Sequence, residues 1–345
     1  MKIFLFTGAA GYIGSHTAFC FLRSLEDCKI VIYDNLSTGF VENIHYLQEL
    51  FGSRVEFIEG DMGDKQKLDF LMGAYNFYAV VHFAASLIVG ESVSYPLKYY
   101  MNNTINTTQL INLCLKHKIF KFIFSSTAAV YGEPDSTLIP IVESTPSFPI
   151  NPYGASKMMS ERVLMDTHIA YPEFCYGILR YFNVAGASSA NTVEILQSHK
   201  GLGQRSKNAT HLIKVACECA CGKRDRISVF GDDYNTPDGS CIRDYIHIDD
   251  LADAHLSTLE FLAKHNKSEI FNVGYGTGYS VFEVIQCLKE ISGVDFAVTR
   301  APRRAGDPAI LFANTQKIHN LTQWTPKLDK LSTIIKSAWE WEKSL

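Results

Sequence analysis

Short runs of apolar residues recur along the first half of the chain, each bounded by polar or glycine-rich segments. Their length suits strands buried on both faces and falls well short of the roughly 18 residues of a membrane helix. The predicted strands are 3–6, 30–33, 55–58, 79–83, 122–124 and 176–180. Helical segments separate them, the clearest being 15–25, 65–72, 96–117 and 156–170. This alternation predicts an α/β fold with a doubly wound parallel sheet.

The pattern loosens after Gly186. Residues 188–207 are polar and without periodicity, so we expect a long excursion, a loop over a site. A helix near 210–221, a strand at 228–230, a loop at 232–240, a helix from about 249, a strand at 270–273 and two or three further helices follow. We predict a first domain at 1–183 and a smaller, loop-rich α/β domain at 184–345. Part of the chain, about 233–273, is expected to return to the first domain.

Composition narrows the possible partners. Hydrophobic residues make up 47% and charged residues 20% of the chain, and the net charge is −4. A mildly acidic globular protein is not suited to coating nucleic acid or an anionic membrane, so neither is expected as a partner. The 9 cysteines are scattered and odd in number, which favours a reducing, cytoplasmic setting. Cys217, Cys219 and Cys221 lack a second ligand pair at zinc spacing, so we expect small buried side chains and no metal.

A glycine turn follows the first predicted strand. Gly8, Gly11 and Gly14 have the spacing G-x-x-G-x-x-G and stand directly before a helical segment. Gly8 allows the tight turn, Gly11 lets a pyrophosphate approach the backbone, and Gly14 permits close packing of the helix on the sheet. The free N–H groups at the start of that helix favour a diphosphate. The arrangement predicts a Rossmann dinucleotide site, although a ligand-free glycine turn would have the same sequence.

Acidic residues after the second and third strands refine the choice of cofactor. Asp34 lies 20 residues after Gly14, where a carboxylate accepts hydrogen bonds from the adenosine ribose and repels a 2′-phosphate. We therefore predict NAD rather than NADP, with a simple turn cap as the alternative role of Asp34. Asp61 is placed either to reach the adenine edge or to form a turn.

A tyrosine and a lysine open the helix before the sixth strand. Tyr153 and Lys157 are four residues apart and share a helix face, although about one such pair is expected by chance. Ser125 and Thr127 end the preceding strand, at the same edge of the sheet. Taking a proton from an alcohol as hydride leaves requires a base that ionises near neutrality, and a neighbouring ammonium favours the phenolate of Tyr153. Thr127 could hydrogen-bond the reacting oxygen.

Together these motifs resemble the extended short-chain dehydrogenase/reductase family, and within it the nucleotide-sugar epimerases. The similarity runs almost end to end. It rests on Thr7–His16, Tyr33–Leu36, Val89–Ser92, Ser125–Gly132, Asn151–Lys157, Tyr181–Asn183, Arg243–His247 and Arg303–Asp307.

The resemblance implies an isomerase that interconverts UDP-galactose and UDP-glucose by oxidation at C4, rotation of the 4-keto sugar and re-reduction. It implies Tyr153 as base and acid, Lys157 as the residue that holds the nicotinamide ribose and tunes Tyr153, and Thr127 as the family's Ser/Thr. The implied cofactor-binding residues are Gly8, Gly11, Tyr12, Ile13, Gly14, Asp34, Asn35, Asp61, Met62, Phe83, Ala84, Asn102, Ser125, Tyr153, Lys157 and Tyr181. The implied substrate-binding residues are Thr127, Tyr153, Asn183, His211, Leu212, Phe230, Arg243, Arg304 and Asp307. A homodimer is also implied.

Two positions depart from the family pattern. Leu87 stands where some members have a lysine near the cofactor, and His211 stands at a position that is often Asn.

The alternatives left open are an epimerase that acts also or mainly on UDP-N-acetylhexosamines, and a nucleotide-sugar dehydratase or decarboxylase. The dehydratases carry an Asp-Glu pair where this chain has Ala128 and Ala129. A net dehydrogenase and a non-enzymatic NAD-sensing regulator are further alternatives.

Overall fold

The computed structural model describes residues 1–188, 201–206, 209–304 and 307–345. The strands are β1 (Lys2–Thr7), β2 (Cys28–Asp34), β3 (Val55–Glu59), β4 (Phe77–His82), β5 (Lys121–Thr127), β6 (Cys175–Tyr181), β7 (Asn183–Ala185), β8 (Arg226–Phe230), β9 (Ile242–His247), β10 (Glu269–Val273), β11 (Gly278–Ser280), β12 (Ala297–Ala301) and β13 (Ile310–Leu311). The helices are α1 (Tyr12–Ser24), α2 (Val41–Phe51), α3 (Lys65–Ala74), α4 (Val89–Ser94), α5 (Pro96–Tyr99), α6 (Asn106–Lys116), α7 (Pro152–Ala170), α8 (Leu212–Ala220), α9 (Ile248–His265), α10 (Val281–Ser292), α11 (Gln316–Thr322) and α12 (Leu331–Ser344).

A seven-stranded parallel sheet forms the larger part of the molecule, which confirms the predicted fold class. Its strand order is β10-β6-β5-β4-β1-β2-β3. The chain enters at β1, adds β2 and β3 on one side, and then crosses back to β4 on the other side of β1. This reversal creates a topological switch point between β1 and β4, and ligands of such sheets bind beside it, at the carboxyl ends of the strands.

Helices cover both faces of this sheet, so its strands are apolar throughout. Alternate residues of β1 enter different cores: Phe4 and Phe6 pack with α1, α2 and α9, whereas Leu5 packs with α3, α6 and α7. Each of these three side chains has no exposed surface. Burial on both faces explains why the strands read as continuous apolar runs.

The remaining elements form a smaller unit beside the carboxyl edge. β9 is its central strand and pairs with β7 and β13 in parallel and with β11 antiparallel, while β8 and β12 form a separate parallel pair. Its core contains Ile213 from α8, Val284 from α10 and Ile334 from α12. β10 leaves this unit and pairs with β6 at the edge of the large sheet.

Most predicted elements occur with shifted ends, and a few predictions were wrong. The fourth strand ends at His82 rather than Phe83, because the Phe83 and Ala84 N–H groups turn to donate to Thr7 O at 2.9 and 3.1 Å. The helix expected over 96–117 contains a π-helical turn at Tyr100–Ile105, between α5 and α6. Helix α2 and the short strands β7, β9, β11, β12 and β13 were missed. The excursion expected over 188–207 lies largely outside the described residues.

Seven of the cysteines are buried, whereas Cys221 and Cys287 are half-buried. All 9 are free thiols, and of the cluster on α8 and its end, Cys217 and Cys219 are buried. Within the described ranges, His, Cys, Asp and Glu side chains form no group that could hold a metal ion. In the same ranges, no helix combines the length and the apolar character that spanning a membrane requires.

Candidate active site

The glycine turn between β1 and α1 has the tight geometry that its spacing predicts. Gly8 has a φ of +75°, in the left-handed region that favours glycine. A Cβ atom at Gly14 would lie 2.5 Å from the Ala9 Cα, so only glycine lets α1 approach the turn this closely. At Gly11 the nearest atom to such a Cβ is Gly8 O at 3.2 Å. The backbone at Gly11 is therefore comparatively open to a ligand.

The start of α1 presents backbone donors at the switch point. Gly11 is the N-cap residue and makes no side-chain capping hydrogen bond, which leaves the first N–H groups of the helix without a side-chain partner. Tyr12 and Ile13 are half-buried in the first turn, and the Tyr12 hydroxyl donates to Gly186 O at 2.6 Å. A helix start of this kind matches the charge and size of a pyrophosphate.

Asp34 is fixed at the carboxyl end of β2, 7% exposed. Its Oδ2 accepts from the Ala10 N–H at 2.9 Å and its Oδ1 from the Leu36 N–H at 2.8 Å. Burial raises the pKa of the Asp34 carboxyl, and these two N–H groups oppose that shift. The carboxylate is thus rigidly held beside the glycine turn, and its negative charge there suits a ribose diol rather than a ribose phosphate.

The other residues predicted around the adenosine lie next to Asp34. The Asn35 amide donates to Asp61 Oδ2 at 2.6 Å, and Asp61 Oδ1 accepts from the Gly63 N–H at 2.7 Å. Asp61 therefore forms a turn, and it is also exposed at the carboxyl edge. Met62 is buried behind it.

The chain after β4 closes the opposite side of the switch point. Phe83 and Ala84 are half-buried, and a Cβ at Gly8 would lie 2.4 Å from Ala84 N, so the two segments are in close backbone contact. Asn102, in the π-helical turn, donates from Nδ2 to Ser86 Oγ at 3.0 Å. Leu87, one of the two expected departures from the family pattern, is exposed.

Lys157 is buried against the end of β5. Asn151 caps α7 by accepting from the Gly154 N–H at 2.9 Å, and Pro152 occupies the first helical position. This start sets the phase of the helix so that Lys157 Nζ donates to Ser125 O at 2.7 Å and lies 4.8 Å from the centre of the Phe124 ring. Burial lowers the pKa of Lys157 to about 7.

Tyr153 lies on the same face of α7, one turn before Lys157. Burial raises the pKa of its phenol, and a hydrogen bond with Thr127 acts in the opposite direction. Thr127 Oγ1 also accepts from the Ala129 N–H at 3.1 Å, which fixes its rotamer. Ser125 and Tyr181 are joined through their hydroxyl groups. The structure thus brings the residues predicted for proton transfer together at the carboxyl ends of β5 and β6.

Basic and acidic residues predicted for a diphosphate and a ribose come together on the smaller unit. Arg243 on β9 has Nη2 3.9 Å from Asp307 Oδ1, and its Nη1 donates to Ile242 O at 2.9 Å. The Arg304 guanidinium carbon lies 3.8 Å from the centre of the Phe230 ring. Ala305 and Gly306, part of the same motif, lie outside the described residues. Two guanidinium groups can bind paired phosphate oxygens, and the Asp307 carboxylate can accept from a diol.

The three remaining substrate-binding candidates lie on two elements. Asn183 is exposed at the start of β7, in register with Tyr245 of β9. His211 is the N-cap residue of α8 without a side-chain capping hydrogen bond, and its Nδ1 lies 3.0 Å from Gln204 Nε2. Leu212 begins α8 and packs at the edge of the smaller core.

Several residues around the site were not foreseen. Asn43 on α2 donates to Ala10 O at 2.9 Å and so supports the glycine turn. Asn103 donates to Ser86 O and to Ser156 Oγ, both at 3.0 Å, and joins the loop after β4 to α7. Glu161 and Arg180 form a buried ion pair behind Lys157. Only Glu161 had a sequence signal, because it follows Lys157 by four residues on the helix face that carries Tyr153.

Known proteins resemble this chain over nearly its whole length. Residues 4–274 match the model of the NAD dependent epimerase/dehydratase family. A UDP-glucose 4-epimerase of Azospirillum brasilense is 48% identical over 343 residues, which cover 99% of this chain and 92% of that protein. The structure of the UDP-Glc/GlcNAc 4-epimerase from Campylobacter jejuni is 54% identical, covers 100% of both chains and gives a TM-score of 0.84. UDP-glucose 4-epimerase from Bifidobacterium longum, solved in complex with NAD+ and UDP, is 34% identical and gives a TM-score of 0.91 over 99% of this chain and 98% of its own. This chain belongs to the NAD dependent epimerase/dehydratase family.

Proposed function

We propose that this protein is a UDP-glucose 4-epimerase, an enzyme that interconverts UDP-galactose and UDP-glucose with NAD as its cofactor. The observation that carries the proposal is the meeting of Tyr153, Lys157 and Thr127 beside the switch point of the large sheet, with Arg243 on the adjoining unit. The curated relatives of the same name, at 39–48% identity over nearly the full chain, support it.

NAD fits the residues around the switch point. Gly8 and Gly14 have no room for a Cβ, and at Gly11 the lack of one leaves the backbone open to the cofactor. The start of α1 offers N–H groups without a side-chain cap, and Asp34 is held where the adenosine ribose would lie. The further residues proposed to contact it are Tyr12, Ile13, Asn35, Asp61, Met62, Phe83, Ala84, Asn102, Ser125, Tyr153, Lys157 and Tyr181. When bound, NAD supplies reversible hydride transfer at C4 of the sugar.

Proton transfer belongs to Tyr153. Its phenolate takes the proton of the sugar 4-hydroxyl during oxidation, and the phenol returns it during reduction. The Lys157 ammonium stabilises the phenolate, because an opposite charge close by favours the ionised form. Thr127 hydrogen-bonds the reacting oxygen and orients it toward Tyr153.

Binding and rotation of the sugar involve separate parts of the site. Arg243 and Arg304 hold the diphosphate, Asp307 holds the uridine ribose, and Asn183, His211, Leu212 and Phe230 complete the pocket. Because these contacts lie away from C4, they can retain the 4-keto sugar while its ring turns to present the other face. We assign NAD binding to a domain at 1–183 and UDP-sugar binding to a domain at 184–345. One part of the second range, about 233–273, is assigned to the first domain.

Purified protein tests the proposal directly. Incubation with UDP-galactose, without added NAD, should yield UDP-glucose, and the mixture should reach the same ratio from either sugar. Failure to convert either sugar, in protein shown to contain NAD, would overturn the proposal. The Campylobacter jejuni relative is named for both glucose and N-acetylglucosamine forms, so the assay is repeated with UDP-N-acetylgalactosamine.

We also propose a homodimer, formed by an apolar face along α4, α5 and the π-helical turn. The exposed side chains of this face are Val93, Tyr95, Leu97, Met101 and Ile105. Leu97 is 76% exposed, and large apolar side chains exposed along one short segment of the chain are typical of an interaction site. Leu97→Glu should convert a dimer to a monomer in light scattering, whereas Leu321→Glu, a matched change on α11, should not. A wild-type monomer would refute the dimer.

Free thiols and the family assignment support the cytoplasm as the site of action.

A further inference from the structure

A buried ion pair lies directly behind the proton-transfer residues and joins α7 to β6. Glu161 is 1% and Arg180 4% exposed. Arg180 Nε lies 3.0 Å from Glu161 Oε1, and Arg180 Nη2 lies 2.5 Å from Oε2, so the contact is bidentate. A buried pair of this kind contributes little net stability compared with well-packed apolar residues. Its presence here therefore calls for a reason other than stability.

Glu161 is placed to act on Lys157. The two residues are four apart on α7 and share one face of the helix. Lys157 is 3% exposed, and its ammonium donates to Ser125 O, a neutral acceptor. Burial lowers the pKa of Lys157, and the Glu161 carboxylate acts in the opposite direction. Without that carboxylate, the ammonium that Tyr153 needs would be harder to maintain at neutral pH.

The other groups around Lys157 do not supply this negative charge. His82 faces it from β4, and burial together with the Lys157 charge lowers the pKa of His82 to about 3, so that imidazole is neutral. From β5, the uncharged Phe124 ring lies 4.8 Å from the Lys157 ammonium. From β6, Tyr181 is joined through its hydroxyl to Ser125, the residue whose carbonyl accepts from Lys157. Among the described residues, Glu161 is the one carboxylate that acts on Lys157.

Two neighbouring strands hold the Glu161 carboxylate in one orientation. Ser126, between Ser125 and Thr127 on β5, donates to Glu161 Oε1. Arg180 on β6 uses its remaining N–H groups on the far side, where Nη1 donates to the Tyr131 hydroxyl at 3.0 Å and to Glu143 O at 3.3 Å. The Arg180 guanidinium thus cannot swing away from Glu161 without breaking these bonds.

We propose that Glu161, held by Arg180 and Ser126, is a positioning residue for the epimerase reaction, which keeps the Lys157 ammonium charged and fixes α7 against β5. This inference rests on the proposed role of Lys157. Glu161 touches neither sugar nor cofactor in this account and acts only through Lys157 and the placement of α7.

The first test is the pH profile of Glu161→Gln, which keeps the shape and removes the charge. We expect kcat for UDP-galactose to fall at least about tenfold above neutral pH, and the alkaline limb of kcat to move down by about one pH unit. KM should change less than about twofold, because the diphosphate contacts are untouched. In near-ultraviolet absorbance titrations, the phenolate signal that Tyr153→Phe removes should appear at higher pH in the variant. An unmoved alkaline limb would overturn the inference.

Removing one charge can also destabilise the fold, because it leaves Arg180 buried and unpaired. The double variant Glu161→Gln/Arg180→Met removes both charges. Its unfolding temperature should recover toward that of the unmodified protein, while the alkaline limb of kcat stays at the lower pH. If the double variant recovers both, the pair is structural and the inference is wrong. Arg180→Lys retains a cation beside Glu161 and should keep the pH profile.

Two further variants separate the possible failures. Glu342→Gln breaks the buried pair with Lys214 in the smaller unit and should lower the unfolding temperature without moving the pH limb. If Glu342→Gln moved the alkaline limb of kcat as far as Glu161→Gln does, the effect would not be specific to Glu161. Lys157→Met should be nearly inactive. If Lys157→Met keeps full activity, the proposed function of Lys157 is wrong. If Lys157→Met is inactive but the pH profile of kcat is unchanged in Glu161→Gln, only the inference about Glu161 is wrong.

Discussion

Replacement of Gly14 by alanine tests whether the glycine turn is built to bring α1 against the sheet. The new Cβ would lie 2.5 Å from the Ala9 Cα and 2.9 Å from Gly8 O, whereas carbon atoms in contact are normally about 3.5–4.0 Å apart. The helix start and the turn must therefore separate by about 1 Å. Such overpacking costs about 1–3 kcal/mol, against a gain of about 1 kcal/mol in helix propensity.

The expected result is a less stable protein that loses its cofactor. We expect NAD affinity to fall at least about tenfold, equivalent to about 1.4 kcal/mol, because the uncapped N–H groups move with the start of α1. The assay measures NAD per mole of protein after dialysis, together with thermal unfolding of the NAD-free form. Gly73→Ala is the matched control, since its Cβ would meet only the His117 ring, at 3.3 Å. If Gly14→Ala keeps NAD and unfolds like the control, close packing of α1 at Gly14 is not what forms the cofactor site.

Three further predictions concern proton transfer, substrate binding and acid stability. Tyr153→Phe should lower kcat at least about 100-fold with its NAD content unchanged, and near-normal turnover would remove Tyr153 from the mechanism. Arg243→Met should raise KM for UDP-galactose at least about tenfold with a smaller effect on kcat, and an unchanged KM in initial-rate assays would contradict its role. Burial lowers the pKa of His255 to about 4. Between about pH 6.5 and 4 the unfolded chain takes up a proton at His255 that the folded chain does not, so stability falls on acidification. His255→Phe should lose less unfolding free energy between about pH 7 and 5, and an equal loss would disprove the assignment.

The sequence predicted the large sheet well because its strands are buried on both faces. Runs such as Ile3–Phe6 read as strands from composition alone, and Gly8, Gly11 and Gly14 located the turn after the first of them. The short strands of the smaller unit carried no such signal. β9 mixes charged and apolar residues, and its place follows from pairing with β7, β11 and β13 rather than from local pattern.

The candidate site was predictable in parts. Tyr153 and Lys157 could be placed by helix periodicity, and Asp34 by its distance from the glycine turn. Arg243 and Asp307 are 64 residues apart in the sequence and meet only through tertiary packing, so their pairing came from family resemblance and not from spacing. The Glu161–Arg180 pair was missed because β6 supplies Arg180 from inside an apolar run, where a charge has no local partner.

In the proposed reaction, C4 of the sugar gives its hydrogen to bound NAD and receives the same hydrogen back, while both sugar and cofactor stay on the enzyme. UDP-galactose carrying deuterium at C4 tests it most directly, with an excess of unlabelled NAD in solution. The UDP-glucose formed should keep the deuterium at C4, and the free NAD pool should stay unlabelled. Deuterium in the free NAD pool, or its loss to water, would contradict the account.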